Sequence, residues 1–252
     1  MTTRFLMTLS ACILAWTAPA VLAEDAMTYE LRTYTAAEGK LTGLHARFRN
    51  HTMALFEKHG ITNVGYWTPT DLPNTLIYLI GHKDASAVAD TWQRFVDDPA
   101  WQTVYADSIE DGPLVTHIES QLLAPTDYSP LESGGGDLPG KHLYELRTYT
   151  TNTGKLDNLH ARFRDHTMTI FDKHGMQNVV YTVPLDENLA DTTLVYVIAH
   201  PSEAAANTSW GNFIRDPEWQ EVARASQVDG PILVEGGIQK HYLQPTDYSP
   251  LQ

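Results

Sequence analysis

The chain is written twice, and that repeat constrains its fold more than any other feature. Tyr29 to Val64 and Tyr144 to Val179 match at 25 of 36 positions without a gap, at an offset of 115. The match continues more loosely downstream. Leu76 to His82 parallels Leu194 to His200, and Asp97 to Gln102 parallels Arg215 to Gln220. Each copy ends in Pro-Thr-Asp-Tyr-Ser-Pro-Leu, beginning at Pro125 and Pro245. A period of 115 to 120 is too long for a solenoid module and has the size of a small domain. A Gly/Pro-rich stretch, Glu132 to Gly140, separates the copies and reads as a linker. The expected division is a leader at 1–23, one domain at 27–131, a linker at 132–141 and a second domain at 142–252.

Each copy carries its own order of elements. Met27 to Thr35 alternates β-branched and aromatic residues and reads as a strand. Thr35 with Glu38 predicts a capping box for a helix that runs to about His59, where Gly60 and Gly175 supply a left-handed cap. Asn63 to Thr68 and Thr75 to Gly81 read as strands. Asp84, or Ser202 in the second copy, predicts the cap of a helix carrying Trp92 and Phe95. Asp98-Pro99 and Asp216-Pro217 open a short third helix. Leu114 to Leu122 closes the unit as a strand. The order β-α-β-β-α-(α)-β is that of a ferredoxin-like unit, an α+β fold. A sheet with helices on one face only leaves the other bare. Two copies in one chain can bury those faces against each other, as an intramolecular α+β barrel.

Composition narrows the function. Arg4, an apolar run from Phe5 to Leu22, and Val21-Leu22-Ala23 before Glu24 follow the grammar of a secretory signal. The expected location is therefore periplasmic or secreted. The run is short for a bilayer span, and no other stretch is apolar enough to cross. The only cysteine, Cys12, lies inside the leader, so cleavage after Ala23 leaves no disulfide and no thiol chemistry. The chain has 17 Lys plus Arg against 31 Asp plus Glu, and loss of Arg4 takes the net charge to −15. Such a balance repels a nucleic-acid backbone, so no nucleic-acid partner is expected.

The motifs Tyr-Glu-Leu-Arg-Thr-Tyr, Gly-Lys-Leu, His-Thr-Met, Phe-x-Lys-His-Gly and Asn-Val-Gly-Tyr-Trp resemble the bacterial NIPSNAP domain, twice over. The second copy departs at Val180-Tyr181-Thr182, where the first has Gly65-Tyr66-Trp67, which suggests pocket mouths that differ. The resemblance implies the dimeric α+β barrel superfamily. That superfamily holds cofactor-free monooxygenases, haem-degrading enzymes, small-molecule isomerases and proteins without known chemistry, so kinship alone assigns no function.

The candidate residues lie on the first helix and first strand. On a helical wheel Leu41, Leu44, Phe48, Leu55 and His59 form one stripe, and Thr52 lies within it. His45 and Phe56 border the stripe on one side and His51 on the other, while Arg47 and Lys58 point away. His45, His51 and His59 recur as His160, His166 and His174. Each is either a histidine satisfied by a structural partner or part of a cavity lining. Their spacings of six and eight do not place two ligands on one ion, so no metal is expected. No cofactor is predicted, and haem stays open because one axial histidine suffices. On the strand, Glu30, Arg32 and Tyr34 share a face, with copies Glu145, Arg147 and Tyr149. They read either as a structural ion pair or as a patch that orients a carbonyl or carboxylate. The tryptophans read as core, and the Pro-Thr-Asp-Tyr-Ser-Pro tails as straps. No Ser-His-Asp arrangement can be asserted, and no phosphate loop or HExxH motif is present.

The favoured reading is a small-molecule binding protein, with an apolar or aromatic ligand between the first helix and the sheet of each half. Arg32, Tyr34, His45, His51 and His59 would line it in the first half, and Arg147, Tyr149, His160, His166 and His174 in the second. One alternative is a cofactor-free oxygenase or isomerase with a His or Tyr acid/base. Another is a structural or interaction module without a ligand. Higher oligomeric state stays open.

Overall fold

The computed structural model describes residues 27–131 and 142–252, so the leader and the linker lie outside the described residues. The first half runs β1 (Thr28–Ala36), α1 (Leu41–Arg47), a π-helical turn (Phe48–Thr52), α2 (Met53–Lys58), β2 (Thr62–Pro69) and β3 (Thr75–His82). It ends in α3 (Ala87–Asp97), α4 (Pro99–Ser108) and β4 (Val115–Pro125). The second half repeats this as β5 (Leu143–Thr151), α5 (Leu156–Arg162), a π turn (Phe163–Thr167), α6 (Met168–Lys173), β6 (Gln177–Pro184) and β7 (Thr193–His200). It ends in α7 (Glu203–Arg215), α8 (Pro217–Ala225) and β8 (Leu233–Pro245).

The eight strands close into one antiparallel barrel, in the order β1-β3-β2-β8-β5-β7-β6-β4. The halves meet at two short seams. Trp67 to Pro69 pairs with Leu243 to Pro245, and Leu123 to Pro125 pairs with Thr182 to Pro184. Strand alternation decides which side chains go where. Tyr29 and Leu31 point into the barrel, where they join Trp67, Leu79, Tyr144 and Val197 in one apolar cluster. Two further clusters pack between the sheet and the helices of each half. The tails close the barrel. Tyr29 Oη donates to the Leu131 carbonyl at 2.9 Å, Tyr144 Oη to that of Gln252 at 3.0 Å, and Leu131 and Leu251 are buried.

Local chemistry explains most boundaries. Asp98 accepts from Ala100 N and Asp216 from Glu218 N, both at 2.9 Å, so each Asp-Pro opens a helix as expected. Gly60 and Gly175 take φ of 80° and 74°, the left-handed cap. Ser202 caps α7 through Ala205 N at 3.2 Å. Asp84 instead holds the turn before α3, where Ser86 is the cap residue. The capping box does not form, because Thr35 still belongs to β1 and the helix opens after Lys40 with no side-chain cap.

The π turn corrects the helical wheel. It inserts an extra residue into one turn, and the buried stripe slips by one position beyond it. Phe56 is therefore buried while Leu55 is only partly so. Thr52 Oγ1 donates to the Arg47 carbonyl at 3.2 Å across that turn, and Thr167 does the same to Arg162 at 3.0 Å. Arg47 does not point away into solvent. The wheel knows only the sheet as a burial partner, whereas α4 covers a second side of α1 and encloses this residue.

The change at Gly65-Tyr66-Trp67 also resolves differently. The Trp67 ring folds back over Gly65, where an added Cβ would lie 2.2 Å from it. Its side chain enters the barrel beside Tyr144, with ring centroids 5.5 Å apart. The difference between copies therefore sits inside the barrel, not at a pocket mouth. Among the described residues, no helix is long and apolar enough to cross a membrane.

Candidate functional site

Glu30 stands on the helix-facing side of β1, with almost no exposure, and must find partners there. Four donors converge on its carboxylate. Arg32 and Ser120 donate to Oε1, the latter at 2.5 Å. His82 Nε2 meets Oε2 at 2.9 Å and Trp92 Nε1 donates to it at 2.7 Å. Burial alone would push this carboxyl up. The bonds from His82, Ser120 and Trp92, together with the Arg32 charge, outweigh that and hold it down to about 2. Arg32 also donates to Tyr34 Oη at 3.2 Å, and its guanidinium lies 4.6 Å from the Trp92 ring centre. β1 positions Glu30, Arg32 and Tyr34 by its period of two, while β3 and α3 bring His82 and Trp92 to them.

This network forms the floor of a cavity of about 500 Å³ between the first sheet and its helices. Phe48, Phe56, Trp92, Phe95 and Trp101 line it as a run of packed aromatic rings. Arg47 enters from α1 beside Thr52 of the π turn. Val96, Tyr105 and Ile118 also line the cavity and are about half exposed, at 50, 46 and 47%. They give the mouth an apolar rim. A space of this size, mostly aromatic with a few convergent polar groups, suits a small ligand.

The candidate residues separate. Arg32 and Tyr34 line the cavity; His45, His51 and His59 are not among its lining residues. His45 Nδ1 meets Tyr248 Oη at 2.7 Å, a residue of the C-terminal tail. Burial lowers its pKa, and the nearby Arg49 charge adds to that. His51 is exposed. His59 Nε2 meets Asp98 Oδ2 at 2.7 Å and so ties α2 to the start of α4. The second half is parallel. Arg147 pairs with Glu145 at 2.5 Å and donates to Tyr149 Oη at 3.0 Å. His160 meets Tyr128 Oη at 2.7 Å, His166 is exposed, and His174 meets Asp216 at 2.7 Å.

Four contributors escaped the sequence reading: the donor roles of His82, Trp92 and Ser120, and Arg47. The first two had a signal. A carboxylate on a buried strand face demands donors, and His82 and Trp92 recur at equivalent places as His200 and Trp210. Arg47 had none, because only α4 makes its position interior. Among the described residues, no group of three His, Cys, Asp or Glu side chains is placed to hold a metal ion.

Comparison with known proteins adds the following. The NIPSNAP family model matches residues 29–130 and 144–250. A proposed monooxygenase from Lactobacillus acidophilus superposes with a TM-score of 0.55 at 9% identity, over 87% of this chain and 94% of that one. An anthrone oxidase-like protein superposes with a TM-score of 0.51 at 14% identity, over 93% and 98%. A NIPSNAP family protein of unknown function from Agrobacterium tumefaciens is 23% identical, over 44% of this chain and 97% of that one, with a TM-score of 0.39. At such identities, superposition speaks to the barrel fold and not to chemistry. No curated protein matches this chain.

Proposed function

This chain belongs to the NIPSNAP family, and from that premise we propose an exported binding protein for a small apolar or aromatic molecule. The site is the cavity between the sheet and helices of the first half. The observation that carries the reading is the aromatic-walled hollow closed below by the Glu30 network. Export rests on the leader grammar of residues 1–23. Each half is proposed to be a ferredoxin-like unit, supported by the order β4-β1-β3-β2 and its repeat β8-β5-β7-β6.

The test uses N-phenyl-1-naphthylamine, a neutral dye that fluoresces in apolar sites. Saturable binding, lost in Leu122→Tyr with the circular dichroism spectrum unchanged, supports the reading. Leu122 lines the cavity, and a larger ring there fills it. Absence of saturable binding, or indifference to this substitution, rejects it.

A second reading is an oxygenase. It is favoured by the names of the two fold neighbours reported above. The chemistry would fall to Tyr34, since Glu30 is saturated by four donors and holds its proton too weakly to act as a base. Anthrone incubated with the protein in air should then be oxidised, and Tyr34→Phe should slow it. No turnover by the wild-type chain rejects this reading.

A further inference from the structure

We infer that the molecule taken up by the first-half cavity carries an acidic group, and that Arg47 is its counter-ion. This rests on the binding reading above and narrows its ligand to an organic anion with an apolar body.

Three charged side chains line the cavity: Glu30, Arg32 and Arg47. Glu30 and Arg32 neutralise each other. Arg47 is only 7% exposed and has no such partner. Its Nη1 donates to Ser108 Oγ at 3.2 Å, and its Nε makes no hydrogen bond. Its guanidinium lies 5.3 Å from the Trp101 ring centre and 5.6 Å from that of Tyr105. Among the described residues, no carboxylate forms an ion pair with it. The chain has carboxylates to spare, 31 against 17 basic residues. Exposed arginines take them: Arg49 holds Asp247 and Arg94 holds Asp90. Arg47, though buried, goes without.

A buried charge with no counter-charge is costly, and stacking over two aromatic rings offsets only part of that. An acidic group entering the cavity would pair with the guanidinium charge of Arg47. The half-exposed Val96, Tyr105 and Ile118 at the rim would meet the apolar remainder. The competing view makes Arg47 a filler between α1 and α4, indifferent to any ligand.

A matched pair of dyes separates the two. 8-Anilinonaphthalene-1-sulfonate is N-phenyl-1-naphthylamine with one acidic group added. Titration of the full chain at low salt should show the sulfonate binding ~10-fold or more tighter than the neutral dye, the scale of a charged hydrogen bond. Arg47→Met keeps the apolar stem over Trp101 and should abolish that preference while neutral-dye binding stays. Arg47→Lys should recover part of it. An unchanged preference in Arg47→Met overturns the inference and leaves the binding reading standing. Sulfonate binding that survives Leu122→Tyr places the anion elsewhere and overturns it too. Failure of the neutral dye to bind at all removes both.

Discussion

The floors of the two halves carry the same network under different linings. In the second half Glu145 accepts from Arg147 at 2.5 Å, Trp210 at 2.7 Å and His200 at 2.9 Å, as Glu30 does from its own copies of these donors. The fourth donor is lost. Ser120 lies opposite Arg32, whereas Lys240 lies opposite Arg147 and turns its ammonium over Tyr242, 5.1 Å from the ring centre. Tyr242 itself stands where Leu122 stands in the first half. Four residues beyond the shared Trp, Tyr105 becomes Ala223. Arg162 repeats the placement of Arg47, stacking 5.2 Å from Trp219 with its Nε unpartnered. The network therefore behaves as a structural unit, since it tolerates loss of one donor and exchange of Leu122 and Tyr105 beside it. What each half can hold is set by the lining above.

That comparison is open to attack, the largest effects coming first. Glu30→Ala and Glu145→Ala each strand an arginine and should cost ~3–5 kcal/mol in urea unfolding, by equal amounts if the network is structural in both halves. A much smaller cost at Glu30 would break the equivalence. Gly65→Val should cost ~1–3 kcal/mol by overpacking against Trp67. The same change in a Trp67→Thr background reproduces the Val180 and Thr182 solution of the second half. It should cost less there, with a coupling of ~0.5–3 kcal/mol in a double-mutant cycle.

The tails sharpen the comparison further. Tyr248 lies on the first half against His45, and Tyr128 on the second against His160. Ser249 Oγ accepts from Tyr66 N and Ser129 Oγ from Tyr181 N, both at 2.9 Å. Each copy thus straps the other. Tyr248→Phe and Tyr128→Phe should each cost ~0.5–1.5 kcal/mol, the value of one hydrogen bond. Burial lowers the pKa of both histidines from 6.5. Below that pH the unfolded chain binds more protons than the folded one, so stability must fall as pH drops through this range. Melting curves at pH 7.5 and 5.5 should show it, with a smaller drop when both histidines are Gln. Smallest of all, Arg49→Ala and Arg164→Ala break exposed pairs with Asp247 and Asp127 and should leave the melting temperature nearly unchanged.

Much of the fold was legible because its signals are local. The strand order followed from alternation, and the Asp-Pro helix starts from capping chemistry. The strand periodicity placed Glu30, Arg32 and Tyr34 together on one face, and the structure turns that face toward the helices, where the cavity lies. The histidines were harder to place. A wheel locates a side chain on a face but does not say whether a tail or a cap reaches it first. Tyr248 and Asp98 occupy His45 and His59 from 203 and 39 residues away.

By itself, the sequence determined that there are two like halves, how their strands and helices alternate, and which strand faces are polar. These depend on periods of two and about four residues and on the repeat, all contained in short stretches of chain. Only the tertiary structure decided which strands join the halves at the two seams, that their tails cross over, and that Arg47 is interior. Those outcomes require surfaces far apart in the chain to compete for the same neighbours, and a linear pattern does not record that competition.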